Sequence, residues 1–481
     1  MNFADDYIQN VIKVGDEGSA FLAAQFARTL NNNSMVFPLS AGMHATVVAR
    51  LPESHDAVVH VSGGESAETD LESYGASLVE HLVQQSKAIG AMPVGMVDVV
   101  DANNADKELL LAVSRGIADA AGHYKVAVMN GELAVLGNRV RDVNLTGVML
   151  SMIPEGPRAI TGQIEAQRNG VTYVLFNHHG RAIFMNADGV GTKTEFYERS
   201  GLYERAVLDF LAMNLDDASK KAARAIVVAG LVETSGEVPF ERIQSRGRQY
   251  SLTAGVTGLF SHEPVASRLI GYAPSSPSYN LSGAVVNLID EERLANPPKP
   301  SAGEWLVAIR GKPNPRSNGI TDKRRIMVEW LGQDWHKTPE GKQYMQFLAE
   351  PSVVFYPVFR SLLESGMVSS VYHMSGGAYR GKLASPLAKE GLRIEISDMF
   401  PPDERELFLA RKAGFSDEVA YAKWPMGNDG FVSTIEPDSV IRHLGLRHLE
   451  ARLVGRLESA LEGQRGVVIR TPQGETVQYL Y

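Results

Sequence analysis

Between residues 297 and 300 the chain reads Pro-Pro-Lys-Pro, directly after Asn296, and this run restricts the fold more than any other feature. Its prolines fix φ and remove backbone donors, so neither a helix nor a central strand continues through it. The run therefore marks a linker. At about 150 residues per domain, a chain of 481 residues is expected to hold roughly three domains.

Upstream of the prolines the apolar pattern alternates between two periods. Ala45-Thr46-Val47-Val48 and Ala57-Val58-Val59-His60-Val61 suit strands, while Leu109, Leu110, Val113, Ile117 and Ala120 make a helical stripe. A second alternation starts with the strands Val171 to Phe176 and Ala182 to Met185. It continues through a helix carrying Val207, Leu211 and Leu215 and ends at Leu288-Ile289. Ahead of both, residues 3 to 32 predict a leading helix with Ile8, Ile12, Phe21, Phe26 and Leu30, an extension of the domain behind it. Past the prolines, the spacing of Leu449, Leu453, Leu457 and Leu461 predicts a helix, followed by a strand over 466–470 and a hairpin turn at Pro472-Gln473-Gly474. The fold class is α+β, with α/β alternation mixed in.

Charge and cysteine content exclude several functions. Lys and Arg number 47 against 56 Asp and Glu, a net charge of −9, and no Lys/Arg block offsets the field, so nucleic acid is not an expected partner. There is no long apolar run, and Met1 to Asp6 is acidic rather than basic then apolar, so the expectation is a cytoplasmic protein without a membrane partner. Cysteine is absent, which rules out disulfides, thiolate metal sites and a cysteine nucleophile.

The sharpest local signal is Asn186-Ala187-Asp188-Gly189-Val190-Gly191-Thr192-Lys193 at the end of an apolar strand. A carboxylate, two glycines, a hydroxyl and a lysine in one tight loop suit Mg²⁺-phosphate binding. The spacing is not that of a Walker A loop, and a polar turn after a strand has the same look. Met213-Asn214-Leu215-Asp216-Asp217 then places Asn214 and Asp217 on one helix face. Those acids either complete a magnesium shell or form a solvated turn balanced by Lys220, Lys221 and Arg224.

Asp188 to Lys193 resembles the DGVGTK signature of the PurM-like superfamily, typified by aminoimidazole ribonucleotide synthetase. Other pieces occur in family order. Met213 to Asp217 resembles its helix with an Asn/Asp pair, and Tyr279 to Val286 its strand before the linker. Gly303 to Ile309 with Arg316-Ser317-Asn318-Gly319 resembles the strand and HSNG loop that open its second domain. His373-Met374-Ser375-Gly376-Gly377-Ala378 resembles its glycine-rich loop, and Trp424 to Gly430 its late F-N-MG-x-G element. The likeness covers residues 170 to 470.

Residues 35 to 160 resemble the same amino-terminal family domain again. Ile89-Gly90-Ala91-Met92-Pro93 is similar to its G-A-x-P turn, Met129-Asn130-Gly131-Glu132-Leu133-Ala134 to its GGETA loop and Asn144 to Gly147 to its next strand. The resemblance thus implies an internal duplication: an extension over 1–34, amino-terminal-type domains over 35–165 and 166–295, and a carboxy-terminal-type α+β domain over 296–481. The copies have decayed in opposite places. The first has Ser62-Gly63-Gly64-Glu65 in place of the aspartate loop and Gln84-Gln85 in place of the acidic pair. The second has Ala222-Ala223-Arg224 at the G-A-x-P turn and Thr257 to Phe260 near the expected GGE loop. Family dimers pair two such domains into a barrel, so the expectation is an internal barrel in which one site works, in a monomer acting as a pseudo-dimer or in a homodimer. The alternative is that the first copy is a structural partner and Asn130-Gly131-Glu132 a plain turn.

What the resemblance implies chemically is an ATP- and Mg²⁺-dependent enzyme acting on a small phosphorylated molecule, foremost a phosphoribosylformylglycinamidine cyclo-ligase of purine biosynthesis. A thiamine-monophosphate-kinase-like phosphotransferase and a nucleotide-binding regulatory protein without turnover are the other readings. Absent cysteine argues against the selenophosphate synthetase, carbamoyl dehydratase and amidotransferase relatives. The implied catalytic residues are Asp188, Lys193 and His373. Nucleotide falls to Asp188, Gly189, Gly191, Thr192, Lys193, Asn214, Asn130 and Glu132, and magnesium to Asp188, Asp216, Asp217 and Glu132. Substrate falls to Arg316, Ser317, Asn318, Gly319, Ser375, Gly376 and Gly377. Arg316 stands where the family pattern has histidine, a permanent cation that suits a phosphate but shuttles no proton.

Overall fold

The computed structural model describes residues 13–38, 47–64, 70–104, 106–153, 163–264 and 279–481. Residues 3–12 of the expected leading helix, Ala45-Thr46 and Glu65 lie outside them. The chain forms two compact units. One comprises Tyr7–Asn214 and Ala223–Leu294, and the other takes Leu215–Ala222 together with Ala295–Tyr481.

The first unit opens with helix α1 (Lys13–Ala27) and strands β1 (Val36–Pro38) and β2 (Val47–Ala49). Then come β3 (Asp56–Gly63), α2 (Leu71–Ile89), β4 (Met92–Ala102), α3 (Lys107–Tyr124), β5 (Ala127–Val135) and β6 (Val143–Ile153). The helices start and stop where their caps dictate. Asp70 accepts from Ser73 N–H and Asp106 from Glu108 and Leu109 N–H, while Gly90 closes α2 at φ 79°.

The second half repeats this order. After β7 (Gln163–Arg168) and β8 (Val171–Phe176) come β9 (Ala182–Gly189), the helices α4 (Lys193–Ser200) and α5 (Ala206–Ser219), then β10 (Arg224–Thr234), α6 (Phe240–Thr253), β11 (Thr257–Pro264) and β12 (Tyr279–Ile289). The sheets run β5-β4-β6-β3-β8-β7 and β11-β10-β12-β9-β2-β1, and in each the first pair is parallel. The halves therefore share one topology. They also exchange hairpins: β1–β2, which precedes the first half, extends the second half's sheet at β9, and β7–β8, which precedes the second half, extends the first half's sheet at β3.

The two six-stranded sheets pack face to face. Val59, Val97, Val99 and Val148 of one meet Met185, Ala229, Leu231 and Val286 of the other in a single buried cluster. Helices cover the outer face of the first sheet, where Leu78, Leu82, Val113 and Ile117 pack on Met96, Val100 and Met149. Strands buried on both sides read as near-continuous apolar runs. Near one end of the shared core sit three polar pairs: Asn280 donates to Asp101 (2.5 Å), Asn144 donates to Glu233 (2.5 Å), and Thr146 meets Ser282 (2.7 Å). Asp101 lies opposite Asn144 on its own sheet, and Glu233 opposite Asn280 on its own, so the first two pairs interchange when the halves are swapped.

The second unit contains two four-stranded sheets. One has the order β14-β16-β13-β17, from β13 (Trp305–Arg310), β14 (Ser370–His373), β16 (Gly430–Thr434) and β17 (Glu450–Arg456). The other has the order β18-β15-β19-β20, from β15 (Leu392–Ile396), β18 (Glu458–Ser459), β19 (Gly466–Arg470) and β20 (Thr476–Leu480). Val307, Ile309, Phe355, Phe359, Val432 and Val440 form its main core.

The helix expected over Leu449 to Leu461 is a strand instead. The helix before it, Pro437–Gly445, stops short, and Glu450–Arg456 pairs antiparallel with β13. A four-residue spacing puts side chains on one face of a strand as well as of a helix, and these leucines make no buried stripe: Leu453 is 39% exposed and Leu461 74%. Among the described residues no helix is long and apolar enough to cross a membrane.

Candidate functional site

In the first unit, β9 delivers Asp188 and Gly189 to a turn that ends at α4. Gly189 N–H donates to Asp188 Oδ1 (2.7 Å), Val190 N–H to Leu281 O (2.9 Å), and Thr194 Oγ1 to Gly191 O (2.9 Å). Gly191 has φ 59°, and a Cβ there would stand 2.9 Å from Leu136 Cδ2, so the turn demands glycine on both counts. Asn186 donates to Asn214 O (2.9 Å), and Asn214 to Phe210 O (3.1 Å), so Asn214 braces the loop from α5 while fully buried. Thr192 is buried as well.

Leu136 belongs to the other half, and β9 packs along β5. The aspartate turn of the second half and the Asn130-Gly131-Glu132 segment of the first are therefore parts of one locality. That segment is strand rather than turn, with a register shift on β5 where Met129 is passed over. Asn130 is exposed and Glu132 half-buried. Beside it lies a cavity of about 550 Å³, lined by Leu22, Phe26 and Ala27 of α1 and by Asn130, Gly131 and Glu132. The leading helix is thus one wall of the cavity.

Three charged residues of this locality had no sequence assignment. Asp101 is buried; burial raises its carboxyl to about 7, Arg139 opposes the rise, and Asp188 adds to it. Its Oδ1 has no partner among the described residues. Asp98 is also buried, neither oxygen has a partner among the described residues, and burial pushes it up to about 8. Buried Arg139 donates to Tyr279 O (2.7 Å). The signal for the acids was present, since two aspartates interrupt an otherwise apolar strand, Val97-Asp98-Val99-Val100-Asp101. For Arg139 there was none.

Lys193 has a different place from the one expected. Its Nζ is fully buried and 2.9 Å from Asp209 Oδ1, and Tyr197 Oη donates to the same carboxylate. The first turn of α4 points this ammonium inward, toward α5. Its charge is committed within the protein rather than to phosphate oxygens.

The corresponding turn of the first half is closed. Ser62 and Gly63 lie opposite Gly147 and Thr146, as Asp188 and Gly189 lie opposite Gly283 and Ser282. Ser62 thus holds the position of Asp188. Glu263, from the other half, takes Ser62 Oγ–H (2.5 Å) and Gly63 N–H (2.9 Å). The position matching Glu263 is Ala134, since they pair with Glu233 and Asp101 respectively.

In the second unit the expected substrate loops are found together, with roles redistributed. Arg316 is buried, and all its nitrogens are engaged: Nε with Met374 O (3.0 Å), Nη1 with Val353 O (2.9 Å), Nη2 with Asp216 Oδ2 (3.0 Å). It ties the loop to its surroundings through three of its five N–H donors. Asp216 also accepts from Phe355 and Tyr356 N–H (2.8 Å each) on Oδ1, so both its oxygens hold protein donors. Arg316 and Ser317 adopt positive φ (48° and 52°). Asn318 donates to Ser375 O (2.8 Å), joining the two loops. Gly319 has φ 62°, and a Cβ would fall 1.9 Å from Trp424 Nε1. Ser375 is half-buried, and Gly376 and Gly377 are exposed.

His373 is buried at the end of β14, with Nε2 2.7 Å from Asp217 Oδ1. Burial, with help from the Lys220 charge, lowers it to about 3, so the ring is neutral, donates Nε2–H to the carboxylate and keeps a lone pair on Nδ1, which has no partner among the described residues. Burial alone would raise Asp217, but Lys220, Lys382 and His373 hold it well below the usual carboxylate range. Asp217 is thus engaged by organic partners, not by an acid cluster. Among the described residues no three His, Asp or Glu side chains gather as a metal cage. Of the four acids expected to hold magnesium, Asp188 and Glu132 belong to one unit and Asp216 and Asp217 to the other.

Residues 42–152 match the family "AIR synthase related protein, N-terminal domain". The match falls on the half that lacks the aspartate turn. Among curated proteins, the chain is 24% identical over 277 residues to the phosphoribosylformylglycinamidine cyclo-ligase of Thermococcus kodakarensis, covering 57% of this chain and 78% of that protein. It is 25% identical over 287 residues to the cyclo-ligase of Clostridium perfringens, covering 57% and 81%. Among solved structures, thiamine monophosphate kinase from Aquifex aeolicus aligns at 14% identity over 62% of this chain and 90% of that one, with a TM-score of 0.39. The chain thus carries an AIR synthase related N-terminal domain over residues 42–152, in the first of two halves that share one topology.

Proposed function

We propose that the chain is an ATP- and Mg²⁺-dependent enzyme of the cyclo-ligase type, in which the amide oxygen of a formylglycinamidine-like substrate is phosphorylated and a neighbouring amine then closes a ring. The observation that carries the reading is the packing of β9, which ends in Asp188, along β5, which carries Asn130 to Glu132. Each half supplies what the other lacks. The similarity to curated cyclo-ligases supports the reaction type.

The donor set suits a hard divalent cation. Asp188 is close enough for its charge to raise Asp101, and Asp101 keeps a buried oxygen with no partner among the described residues, a tension that a cation relieves. Magnesium takes one or two carboxylates and completes its shell with phosphate oxygens and water, so no three-acid cage is needed. When bound, the ion neutralises phosphate charge and orients the triphosphate. Asp188 and Asp101 would hold it, with Glu132 at the edge. The cavity beside Asn130 and Glu132 has the size and apolar lining of a base pocket. Gly189 and Gly191 let phosphate oxygens come close to backbone. Within the other unit, the neutral His373 ring offers Nδ1 as an acceptor while Asp217 fixes its tautomer.

The test is ADP release from Mg·ATP with formylglycinamidine ribonucleotide, and Mg·AMPPNP binding to the wild type and to Asp188→Asn and Asp101→Asn. The reading expects turnover, tight binding by the wild type and its loss in both variants. Tight binding without turnover on that substrate or on thiamine monophosphate would instead make the chain a nucleotide-binding protein.

A further inference from the structure

A second cavity, of about 310 Å³, lies in the first unit beside Glu263, the residue that closes the Ser62-Gly63 turn. It is the counterpart of the cavity beside Asn130 and Glu132. Each is bounded by the outer strand of a parallel pair, β5 or β11, and by an exchanged hairpin, through Pro38 and Val47 in one and Gly170 to Thr172 in the other. The chemistry of the lining differs. Gln85 of α2, one of the two amides at the place of the family's acidic pair, donates Nε2–H to Ser62 Oγ (3.2 Å) and lies 2.8 Å from His81 Nε2. Its Oε1 is buried and has no partner among the described residues. Gln244 of α6 donates Nε2–H to Phe260 O (2.9 Å), so its amide hydrogen is also committed to the protein. Its Oε1 receives a long contact of 3.4 Å from Arg248, which is itself ion-paired with Glu165. Glu263 adds a carboxylate whose oxygens accept from Ser62 and Gly63 and keep further lone pairs. Phe240 and Phe260 contribute aromatic rings, Phe240 stacked on His262 at 5.0 Å. Among the described residues no Lys or Arg lines the cavity.

We propose that this cavity binds a small organic cation with a primary ammonium head, at a site separate from the nucleotide cavity. An ammonium group has three donors and no acceptor, the complement of a wall whose amide hydrogens are spent on the protein while its oxygens remain. Gln85 Oε1, Gln244 Oε1 and Glu263 are the acceptors. A charge-assisted hydrogen bond to Gln85 Oε1 satisfies a buried oxygen that is otherwise left unpaired. The aromatic rings favour a cation and the methylenes next to it. One carboxylate balances one ammonium and leaves a divalent metal ion half compensated. An anionic ligand would set acceptors against acceptors, with no cation in the lining to receive it.

The probe is n-butylamine, which is protonated at neutral pH, titrated calorimetrically into the full chain in sodium buffer and again in potassium buffer. Butan-1-ol and butyrate, of the same chain length, are the controls. The wild type is expected to bind the amine equally in both buffers and to ignore the alcohol and the acid. Gln85→Met removes the buried acceptor and is expected to weaken binding on the order of tenfold. Thr172, half-buried at the start of β8, lines the cavity. Thr172→Lys places a tethered ammonium there and is expected to abolish amine binding, with melting temperature and Mg·AMPPNP titration as in the wild type. This variant decides the question if Gln85→Met fails to fold. Absence of amine binding by the wild type would overturn the site, as would equal binding by wild type and Thr172→Lys. Binding of butan-1-ol as tight as that of the amine would reduce it to an apolar crevice, and displacement of the amine by potassium would make it a metal-ion site; either result overturns the proposal.

Discussion

Arg316 Nη2 lies 3.0 Å from Asp216 Oδ2, with both side chains buried and every other nitrogen of the guanidinium bonded to a backbone carbonyl. Removing one partner leaves the other charged and unpaired. Arg316→Met is expected to destabilise the protein by about 3–5 kcal/mol in denaturant unfolding. The double change Arg316→Met/Asp216→Leu is expected to cost less than the sum of the single changes, since no lone charge remains.

Two residues five apart in the aspartate turn should separate cleanly. Lys193 is a fully buried partner of Asp209, so Lys193→Gln is expected to lose about 3–5 kcal/mol of stability. Asp188→Asn is expected to leave the melting temperature near that of the wild type while abolishing Mg·AMPPNP binding. Melting curves and calorimetry on both variants check the split, and a Lys193→Gln protein of full stability with lost nucleotide affinity would reverse the assignment.

Asp98 gives a pH dependence of definite sign. Its folded carboxyl is raised to about 8 against an ordinary value of 3.8, so between those values the folded state holds a proton that the unfolded chain has released. Its contribution is complete in acid and is lost as pH rises toward 8. Asp98→Asn removes this term, and the stability difference between variant and wild type should shift in favour of the variant by at most about 1.4 kcal/mol per pH unit between pH 5 and 8. Parallel slopes for both proteins in urea unfolding would exclude a raised Asp98.

The closed turn of the first half also makes a measurable claim. Glu263→Ala strips Ser62 Oγ–H and Gly63 N–H of their acceptor. A loss of about 1–3 kcal/mol is expected in denaturant unfolding, with AMPPNP stoichiometry remaining one per chain. Loss of nucleotide binding would place Glu263 in the working site.

What could be read in the sequence was local. The mixed strand and helix pattern, the strand ending in Asp188-Gly189 and the β19–β20 hairpin all follow from period and turn chemistry within a few residues. The spacing of Leu449 to Leu461 fits two periods, and only pairing with β13 decides between them. Partners remote in sequence were out of reach. Asp209 neutralises Lys193 from the next helix, Asn280 reaches Asp101 across 179 positions, and Asp216 meets Arg316 across 100. A charged residue in a motif announces that it has a partner, but whether that partner is ligand or protein is settled by tertiary packing.

The exchanged hairpins mean that the halves are interlocked rather than merely juxtaposed. Each half owns a ribbon that is hydrogen-bonded into the other's sheet edge, so cutting the chain between β6 and β7 would not free two pieces. The fragments would have to peel two ladders in concert before drifting apart. What two separate chains would hold by concentration is held here by threading within one chain, and dilution cannot undo it.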